Sequence, residues 1–311
     1  MIVLETERLY LREFTTDDAK NFFDLNADEE VMKYTGDVAF KSIKAATQFL
    51  LEYNPYEIYK MGRWVVCLKS TNEFIGWCGL KFHPESKIID VGYRFFQKHW
   101  NKGYATESCS AVLDYGFNAL KLDAIYAHAH IANTKSQNVL EKCGLVKIDQ
   151  AIYDGMPAYL FKINNPYFSI KTIDAKDTYS VRHPVLRPGR PIEDCAFEGD
   201  DLQTTFHLGL YFKDELAGVV TFLETNNRDL KVPKQFQLRG MAVLKSYRGL
   251  NFGKQLVTQG ELLVKAKEGS LIWLNAREIA VPFYKKMGYT VFGVPFDIPI
   301  IGPHYSMCKQ F

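Results

Sequence analysis

Trp100-Asn101-Lys102-Gly103-Tyr104-Ala105-Thr106-Glu107 and Arg248-Gly249-Leu250-Asn251-Phe252-Gly253-Lys254-Gln255 are two versions of one glycine-bearing turn that opens a helix. Strand-like runs lead into both, Val91-Gly92-Tyr93-Arg94-Phe95-Phe96 in the first and Leu238-Arg239-Gly240-Met241-Ala242-Val243 in the second. After each come an amphipathic helix, a short apolar strand and a second helix that stops at a glycine, Gly144 or Gly288. Gly103 and Asn251 stand 148 positions apart, Gly144 and Gly288 144 apart. So steady an offset across several elements means one fold used twice.

Outward from the first turn, the helix that follows places Cys109, Val112, Leu113, Gly116, Phe117 and Leu120 on one stripe. Ala124 to Ala129 reads as a strand, and Ser136 to Cys143 as a helix with Gly144 as its left-handed cap. Upstream, Leu9 to Arg12 is an opening strand, and helices are expected over roughly 17–26 and 41–53, the first capped by hydroxyl and acidic residues. Trp64 to Leu68 and Phe74 to Leu80 flank a hairpin turn. The second half repeats the later part of this order. Thr205 to Tyr211 and Leu216 to Leu223 form a hairpin, Leu256, Val257, Gly260, Leu263 and Val264 share one helix side, Leu271 to Leu274 is a strand, and Pro282 to Met287 a short helix. Asn164-Asn165-Pro166 breaks the chain, because the residue before proline leaves the helical region. The reading is two domains, 1–166 and 167–311, each a twisted mixed sheet flanked by helices (an α+β fold). Arg182 to Pro191, rich in Pro and Arg, is expected to be a loop of the second domain.

A chain of 311 residues gives each half enough length for its own core. Its 47% hydrophobic and 24% charged content is that of a globular protein. A net charge of +2 argues against a duplex nucleic acid or an anionic membrane as partner. The six cysteines share no Cys-x-x-Cys spacing and several sit in apolar runs, so reduced buried thiols are expected. Early charges rule against a secretory signal, and no apolar run reaches the ~20 residues that span a bilayer. The expected compartment is the cytoplasm.

Successive backbone N–H groups at a helix start form an anion site, and small residues let a phosphate approach. Gly103 and Ala105 give that access in the first copy, Gly249 and Gly253 in the second. Neither turn is a dinucleotide Gly-x-Gly-x-x-Gly, and neither ends in the Gly-Lys-Ser/Thr of a nucleotide triphosphate loop.

Both turns resemble the pyrophosphate loop of GCN5-related N-acetyltransferases (GNAT), Gln/Arg-x-x-Gly-x-Gly/Ala. The first half is similar to the subgroup that acetylates ribosomal-protein N-termini, through Thr6-Glu7-Arg8-Leu9-Tyr10-Leu11-Arg12, the Trp100 turn, and Asn133-x-x-Ser136 running into Leu140 to Gly144. The second half resembles general members through Arg239 to Val243, Arg248 to Gly253, and Phe283-Tyr284 before Gly288. The resemblance implies acetyl-CoA in a splayed cleft of each sheet. Backbone groups of Tyr93 and Phe95, or of Met241 and Val243 with Ala242 between them, would pair with the pantetheine amides. N–H groups of Asn101, Lys102, Gly103, Tyr104, Ala105 and Thr106 would hold the pyrophosphate in one copy. Those of Gly249, Leu250, Asn251, Phe252, Gly253 and Lys254, beside Arg248, would do so in the other. Asn133, near Ser136, matches the contact to the pantetheine arm. Arg277 replaces that asparagine in the second copy, with Asn275 two residues earlier.

Attack of an amine on a thioester needs a free amine, a polarised carbonyl and a stabilised leaving thiolate. The family's thiolate-serving tyrosine is matched by Tyr284, whereas Leu140 stands at that place in the first half. Asn251 replaces the second loop glycine, and asparagine tolerates the left-handed region. Glu107 in the first helical turn and His207, opposite in face to Phe206 and Leu208, are the general-base candidates, each with a structural role as its alternative; Glu224 is a surface residue by default. His128 and His130 lack a third metal ligand, so no metal is expected. The expected activity is N-acetylation of a primary amine, a small molecule or a peptide N-terminus, with self-association as a homodimer left open. The rival is a pair of modules, one or both non-catalytic, that bind CoA or serve as scaffold.

Overall fold

The chain changes partners at Pro166: in the computed structural model, which describes residues 1–299 and 301–311, Met1–Pro166 fold as one unit and Tyr167–Phe311 as another. Unit 1 runs β1 (Ile2–Glu5), β2 (Leu9–Arg12), α1 (Ala19–Ala27), α2 (Glu29–Met32), α3 (Ile43–Glu52), α4 (Pro55–Tyr59), β3 (Arg63–Leu68), β4 (Phe74–His83), β5 (Ile88–Phe95), α5 (Tyr104–Asn118), β6 (Ala124–His130), α6 (Thr134–Lys142), β7 (Val146–Tyr153) and β8 (Met156–Asn164). Its sheet has the order β1-β2-β3-β4-β5-β6-β8-β7, antiparallel except for β5 beside β6. Phe22 and Leu25 of α1, with Ala46 and Leu50 of α3, pack on Val65, Cys67 and Phe74. The stripe from Cys109 to Phe117 is buried as its periodicity requires, while Leu120 lies beyond the helix end.

Unit 2 runs β9 (Phe168–Ile173), α7 (Tyr179–Leu186), β10 (Thr205–Phe212), β11 (Glu215–Glu224), β12 (Gln235–Val243), α8 (Phe252–Ala266), β13 (Leu271–Arg277), α9 (Val281–Lys286), β14 (Thr290–Val291), β15 (Phe296–Ile298) and β16 (Gly302–Gln310). The sheet order is β14-β16-β13-β12-β11-β10-β9, with β15 also on β16, and β12 runs parallel to β13. Alternation along the strands sends Phe206, Leu208, Val220, Phe222, Phe236 and Leu238 to the face covered by α8, where Leu256, Val257 and Val264 meet them. The other face carries α7, whose Val181 packs on Val219 and Ala242.

Two features depart from the sequence reading. Arg182 to Leu186 are helical, Pro184 included, rather than loop. A capping box between Asp174 and Asp177 opens a short turn that runs into α7, and burial of Val181 and Arg182 holds the helix against its proline. Only Arg187 to Pro191 is irregular. Strands β1, β7, β8, β9 and β14 to β16 were not legible, since β7 is almost wholly exposed and β16 mixes polar and apolar residues. All six cysteines are free, four of them buried. Among the described residues no helix is long and apolar enough to cross a membrane.

Candidate functional site

In each sheet the two parallel strands meet at one end and then part. β5 and β6 pair only at Asp90 opposite Tyr126, although β5 continues to Phe95. β12 and β13 pair from Gln235–Leu271 to Gln237–Trp273, although β12 continues to Val243. Beyond those points β5 and β12 turn a row of backbone groups toward an open gap, where an extended ligand with amides can add as a strand. In unit 2 a bulge sharpens the parting. Val219 opposes Ala242 while Thr221 opposes Arg239, so β12 carries one extra residue there, and Gly240 takes φ +57°. The Arg182 guanidinium lies against Gly240, where a Cβ would fall 2.8 Å from its Nε.

Both turns follow at the open end, and their parts correspond residue by residue at the offset of the sequence. Short 3₁₀ turns at 97–99 and 245–247 precede helices at 104–118 and 252–266. Asn101 and Gly103 adopt φ +60° and +82°; Gly249 and Asn251 adopt +81° and +61°. The same two left-handed positions are thus filled by asparagine then glycine in one copy, and by glycine then asparagine in the other. Trp100 Nε1 donates to the Phe95 carbonyl at 2.8 Å, and Arg248 Nε donates to the matching Val243 carbonyl at 3.4 Å. The first helical bonds are donated by Glu107 N and Gln255 N. The N–H groups of Tyr104 to Thr106 and of Phe252 to Lys254 precede them and form the cradle an anion needs.

In unit 2 a cleft of about 390 Å³ joins the turn to the parted strands. Met241, Ala242, Val243, Arg248, Gly249, Asn251, Phe252, Gly253 and Lys254 line it, together with Val185, Tyr247, Ala280 and Phe283. Leu250 does not, and the Phe252 ring is buried and stacked on Tyr247. Asn275 is exposed on the strand face opposite buried Ala276, its Oδ1 accepts from Ser306, and it is not among the residues that line the cleft.

In unit 1 the turn is braced by a residue the motif contained but the site reading passed over. Arg8 Nη1 donates to the Lys102 carbonyl at 3.0 Å, and its guanidinium covers the Tyr104 ring at 4.7 Å. Asn133 caps α6, its Oδ1 accepting from Ser136 N. Tyr93 Oη lies 3.0 Å from both Ser136 Oγ and the Ser136 carbonyl. Hydroxyls therefore stand beside the parted strands of unit 1, although Leu140 is itself buried and supplies none. A wider depression of about 600 Å³ over β1 and β2 includes no residue of the turn.

The base candidates have structural tasks. Glu107 Oε1 accepts from Thr6 Oγ1 and Arg8 N, and Oε2 from Arg8 Nε. Burial raises its pKa, yet these donors outweigh it and leave a weakly basic carboxylate. Glu107 thus ties the N-terminal segment to the turn, the structural role that was its alternative. His207 is buried, Nδ1 bonded to Thr221 Oγ1 at 2.7 Å and Nε2 to the Asp200 carbonyl at 3.0 Å. With both nitrogens engaged it has the surroundings of a structural histidine, the alternative to a base. Tyr284 differs. It is buried against Phe283 and Tyr289, and no group among the described residues bonds its hydroxyl. Burial pushes that hydroxyl well above the ordinary tyrosine range, so it keeps its proton. Among the described residues no three His, Cys, Asp or Glu side chains converge as a metal site.

Comparison with known proteins fits this geometry. A family model described as an acetyltransferase (GNAT) domain matches residues 8–146, and one described as the acetyltransferase (GNAT) family matches 167–289. The chain is 36% identical over 140 residues to the uncharacterized N-acetyltransferase YitI of Bacillus subtilis (strain 168), which spans 45% of this chain and 94% of that one. It is 33% identical over 170 residues to the uncharacterized N-acetyltransferase YoaA of the same organism, spanning 53% and 92%. Among solved structures, an acetyltransferase (GNAT family) from Bacillus anthracis is similar over 53% of this chain and 99% of that one, at 26% identity and a TM-score of 0.47. Sequence matches over both halves agree with the twice-built sheet and turn, and the chain belongs to the GNAT acetyltransferases, with two of their domains in tandem.

Proposed function

We propose that this protein transfers the acetyl group of acetyl-CoA to a primary amine, with unit 2 as the principal catalyst. The observation that carries the reading is the unit 2 cleft. One continuous space is bounded by the turn cradle, by the open edge of Met241 to Val243, and by Phe283, the neighbour of Tyr284. Acetyl-CoA has the matching parts in order: pyrophosphate for the turn, pantetheine amides for the strand edge, thioester toward the buried hydroxyl. The amine attacks the thioester carbonyl carbon, the C–S bond breaks, and Tyr284 Oη offers its proton to the departing thiolate. Desolvation makes both that thiolate and the tyrosine more basic, which keeps proton sharing between them favourable. No side chain of the site stands free as a base in this reading, so the amine reacts in its neutral form, and the proton its nitrogen loses as the amide forms passes through water to the Tyr284 oxygen and restores the phenol.

Unit 1 holds a second acetyl-CoA by turn residues 101–106 and the edge from Tyr93 to Phe95. Its leaving thiolate faces Ser136 and Tyr93 in place of a tyrosine on α6, so it is the slower site. A small amine and a peptide N-terminus are the acceptor classes, the latter for the half that resembles ribosomal-protein acetyltransferases. Calorimetric titration of acetyl-CoA into the full chain tests the reading. Two molecules bound per chain and CoA release with an amine panel are expected. Absence of binding would overturn it.

A further inference from the structure

The face of unit 1 opposite α5 carries a histidine that the fold leaves unbonded. Ile125, Ala127 and Ala129 of β6 are buried, Ile125 against Gly116 of α5, so alternation sends Tyr126, His128 and His130 to the other face. The chain has seven histidines, and each of the other six has a polar partner within 3.3 Å. His128 has none among the described residues, and its Nδ1 is buried without a hydrogen bond. Its ring lies flat on that of Tyr153, with centroids 3.7 Å apart and planes 7° from parallel. A histidine with a purely structural task is fixed through its nitrogens, as His207 is. Stacking alone fixes His128, and a buried nitrogen without a partner is costly until a bound molecule completes it.

His128 also stands where the reacting end of the donor falls in the proposed reading. β5 and β6 pair at Asp90 and Tyr126, and His128 is two residues further along the parted strand. With pyrophosphate at the turn and pantetheine along Tyr93 to Phe95, the thioester reaches back toward that point. Residues 34–37 bridge the parted strands over this face: Asp37 pairs with Arg94 of β5, and the Tyr34 ring stacks on His130 of β6 at 4.9 Å. Gly36 lies against the β7–β8 turn, where a Cβ would fall 2.8 Å from the Asp154 carbonyl oxygen. His83 links Asp90 to the same enclosure. Its Nε2 is 3.3 Å from Asp90 Oδ1, without the alignment of a hydrogen bond, and its ring is 6.1 Å from that of Tyr153. The hydroxyls of Tyr93 and Ser136 belong to the α6 side, so the amine and the leaving sulfur have separate sides of the gap.

We propose that His128 is the general base of unit 1, taking the proton that the acceptor nitrogen loses as the amide forms. The inference rests on the acetyltransferase reading of unit 1 and adds the base which that reading leaves unnamed. The neutral amine attacks the thioester carbonyl carbon, the C–S bond breaks with its electron pair on sulfur, and the N–H proton passes to a His128 nitrogen. CoA departs as thiolate beside Ser136 and Tyr93, and His128 releases its proton to water before the next turnover. Burial lowers the His128 pKa; Asp90 opposes this, His83 assists it and Asp154 opposes it, so the ring is neutral at pH 7 and able to accept. The cations of the enclosure are spoken for, Arg63 by Asp90 and Arg94 by Asp37, and burial keeps Tyr153 a phenol.

The test uses the full chain with Tyr284→Phe, acetyl-CoA and alanine-led peptides as acceptors, following CoA release. Unit 1 activity is the part that Gly103→Val removes. His128→Gln should lower its kcat about 100-fold or more, the reach of a positioned base, with acetyl-CoA affinity by calorimetry and melting temperature close to the parent's. The pH profile separates a base from a packing residue. Below the peptide amine's pKa of about 8, log kcat/KM falls with slope one. Below the His128 pKa, itself under about 6.5, the parent should reach slope two and His128→Gln should stay at one. A kcat within about threefold of the parent, or a slope of two that survives the substitution, would overturn the base. If the variant melts low, the parent still decides: slope one throughout the pH range in which it stays folded would overturn the proposal. Acetyl-CoA bound by unit 1 without turnover would overturn the base and leave a binding module. No acetyl-CoA bound there would overturn the acetyltransferase reading of unit 1 itself.

Discussion

Replacing Tyr284 by phenylalanine separates chemistry from packing more cleanly than any other change in this chain. The substitution removes one oxygen and leaves the ring between Phe283 and Tyr289, at centroid distances of 5.0 and 5.7 Å. No described group bonds the hydroxyl, so its loss strands no partner, and stability should change by less than about 1 kcal/mol. The chemical cost is larger. A positioned proton donor contributes about 10²- to 10⁴-fold, or roughly 3–5 kcal/mol of the barrier. Stopped or steady-state assays of thiol release should therefore show kcat reduced by at least about 100-fold, with the melting temperature unchanged. The KM for acetyl-CoA should stay close to that of the parent, because Tyr284 touches only the leaving sulfur in this reading. Turnover at unit 1 sets a floor, so the assay is repeated in a chain whose first turn carries Gly103→Val, where φ +82° strains a β-branched residue and the new Cβ would crowd Arg8 Nη2 at 3.2 Å. A Tyr284→Phe variant that retains kcat within twofold in that background would refute the donor role. A melting temperature lowered by many degrees would refute the premise that the hydroxyl is unpartnered.

The turn itself gives two changes of opposite sign. Gly249 sits at φ +81° with open space around its Cβ position, so Gly249→Ala adds backbone strain alone and should cost about 1–2 kcal/mol in denaturant unfolding. Asn251→Gly should gain a few tenths of a kcal/mol, since glycine is at ease at φ +61°. Gly260→Ala should be among the most damaging single-methyl additions, because the new Cβ would lie 2.0 Å from Phe222 Cζ, whose ring is fully buried and stacked on Phe206. A loss of about 2–3 kcal/mol, roughly 5–10 °C in melting, is expected, and a neutral result would mean the ring can move. His207 is held below the ordinary histidine pKa first by burial and then, among the charges, by Arg182 and Arg239, against the opposing pull of Asp200. The folded state then binds fewer protons than the unfolded one, so this stability is present above the unfolded pKa of about 6.5 and is lost as pH falls through the folded value. Melting temperature should drop between about pH 7 and 5, and His207→Asn should flatten that slope; an unchanged slope would place the titration elsewhere.

What the sequence disclosed and what it hid divide along a physical line. Turns that need left-handed backbone restrict residue type, so Asn101, Gly103, Gly249 and Asn251 marked both loops and the common offset marked the repeat. Helices with a buried stripe were equally legible, because α5 and α8 each set a 3.6-residue pattern against a sheet. Edge strands carry no such constraint. β7 buries almost nothing, and the alternation of Val146-Lys147-Ile148-Asp149 stops after four residues. Nor does a single position disclose its partners. Glu107 and His207 have the residue types of a base, and only the fold shows Arg8 and Thr6 around one, Thr221 and Asp200 around the other. The α7 helix was missed because a proline outweighs short-range pattern, whereas the buried Arg182 ion pair that holds the helix in place is closed by Asp200, eighteen residues further along.

The exchange of glycine and asparagine between the two turns bears on which unit does the chemistry. Had Asn251 failed to reach the left-handed region, unit 2 would have lost its anion cradle and Tyr284 would serve an empty cleft. Its φ of +61° matches the +60° of Asn101, which holds the other left-handed position of the equivalent turn. Both turns therefore share one backbone shape, and in the proposed reading the units differ further along the cofactor, at the thiolate. There the two diverge in kind. Unit 2 presents a buried tyrosine; unit 1 presents Leu140, a Ser136–Tyr93 hydroxyl pair, and Arg94 already bound to Asp37 and Asn26. In the proposed reading the fold, built twice, holds the donor in both copies and parts in how the leaving group is met. Two units that bind the same donor and turn it over at different rates is the outcome this arrangement favours.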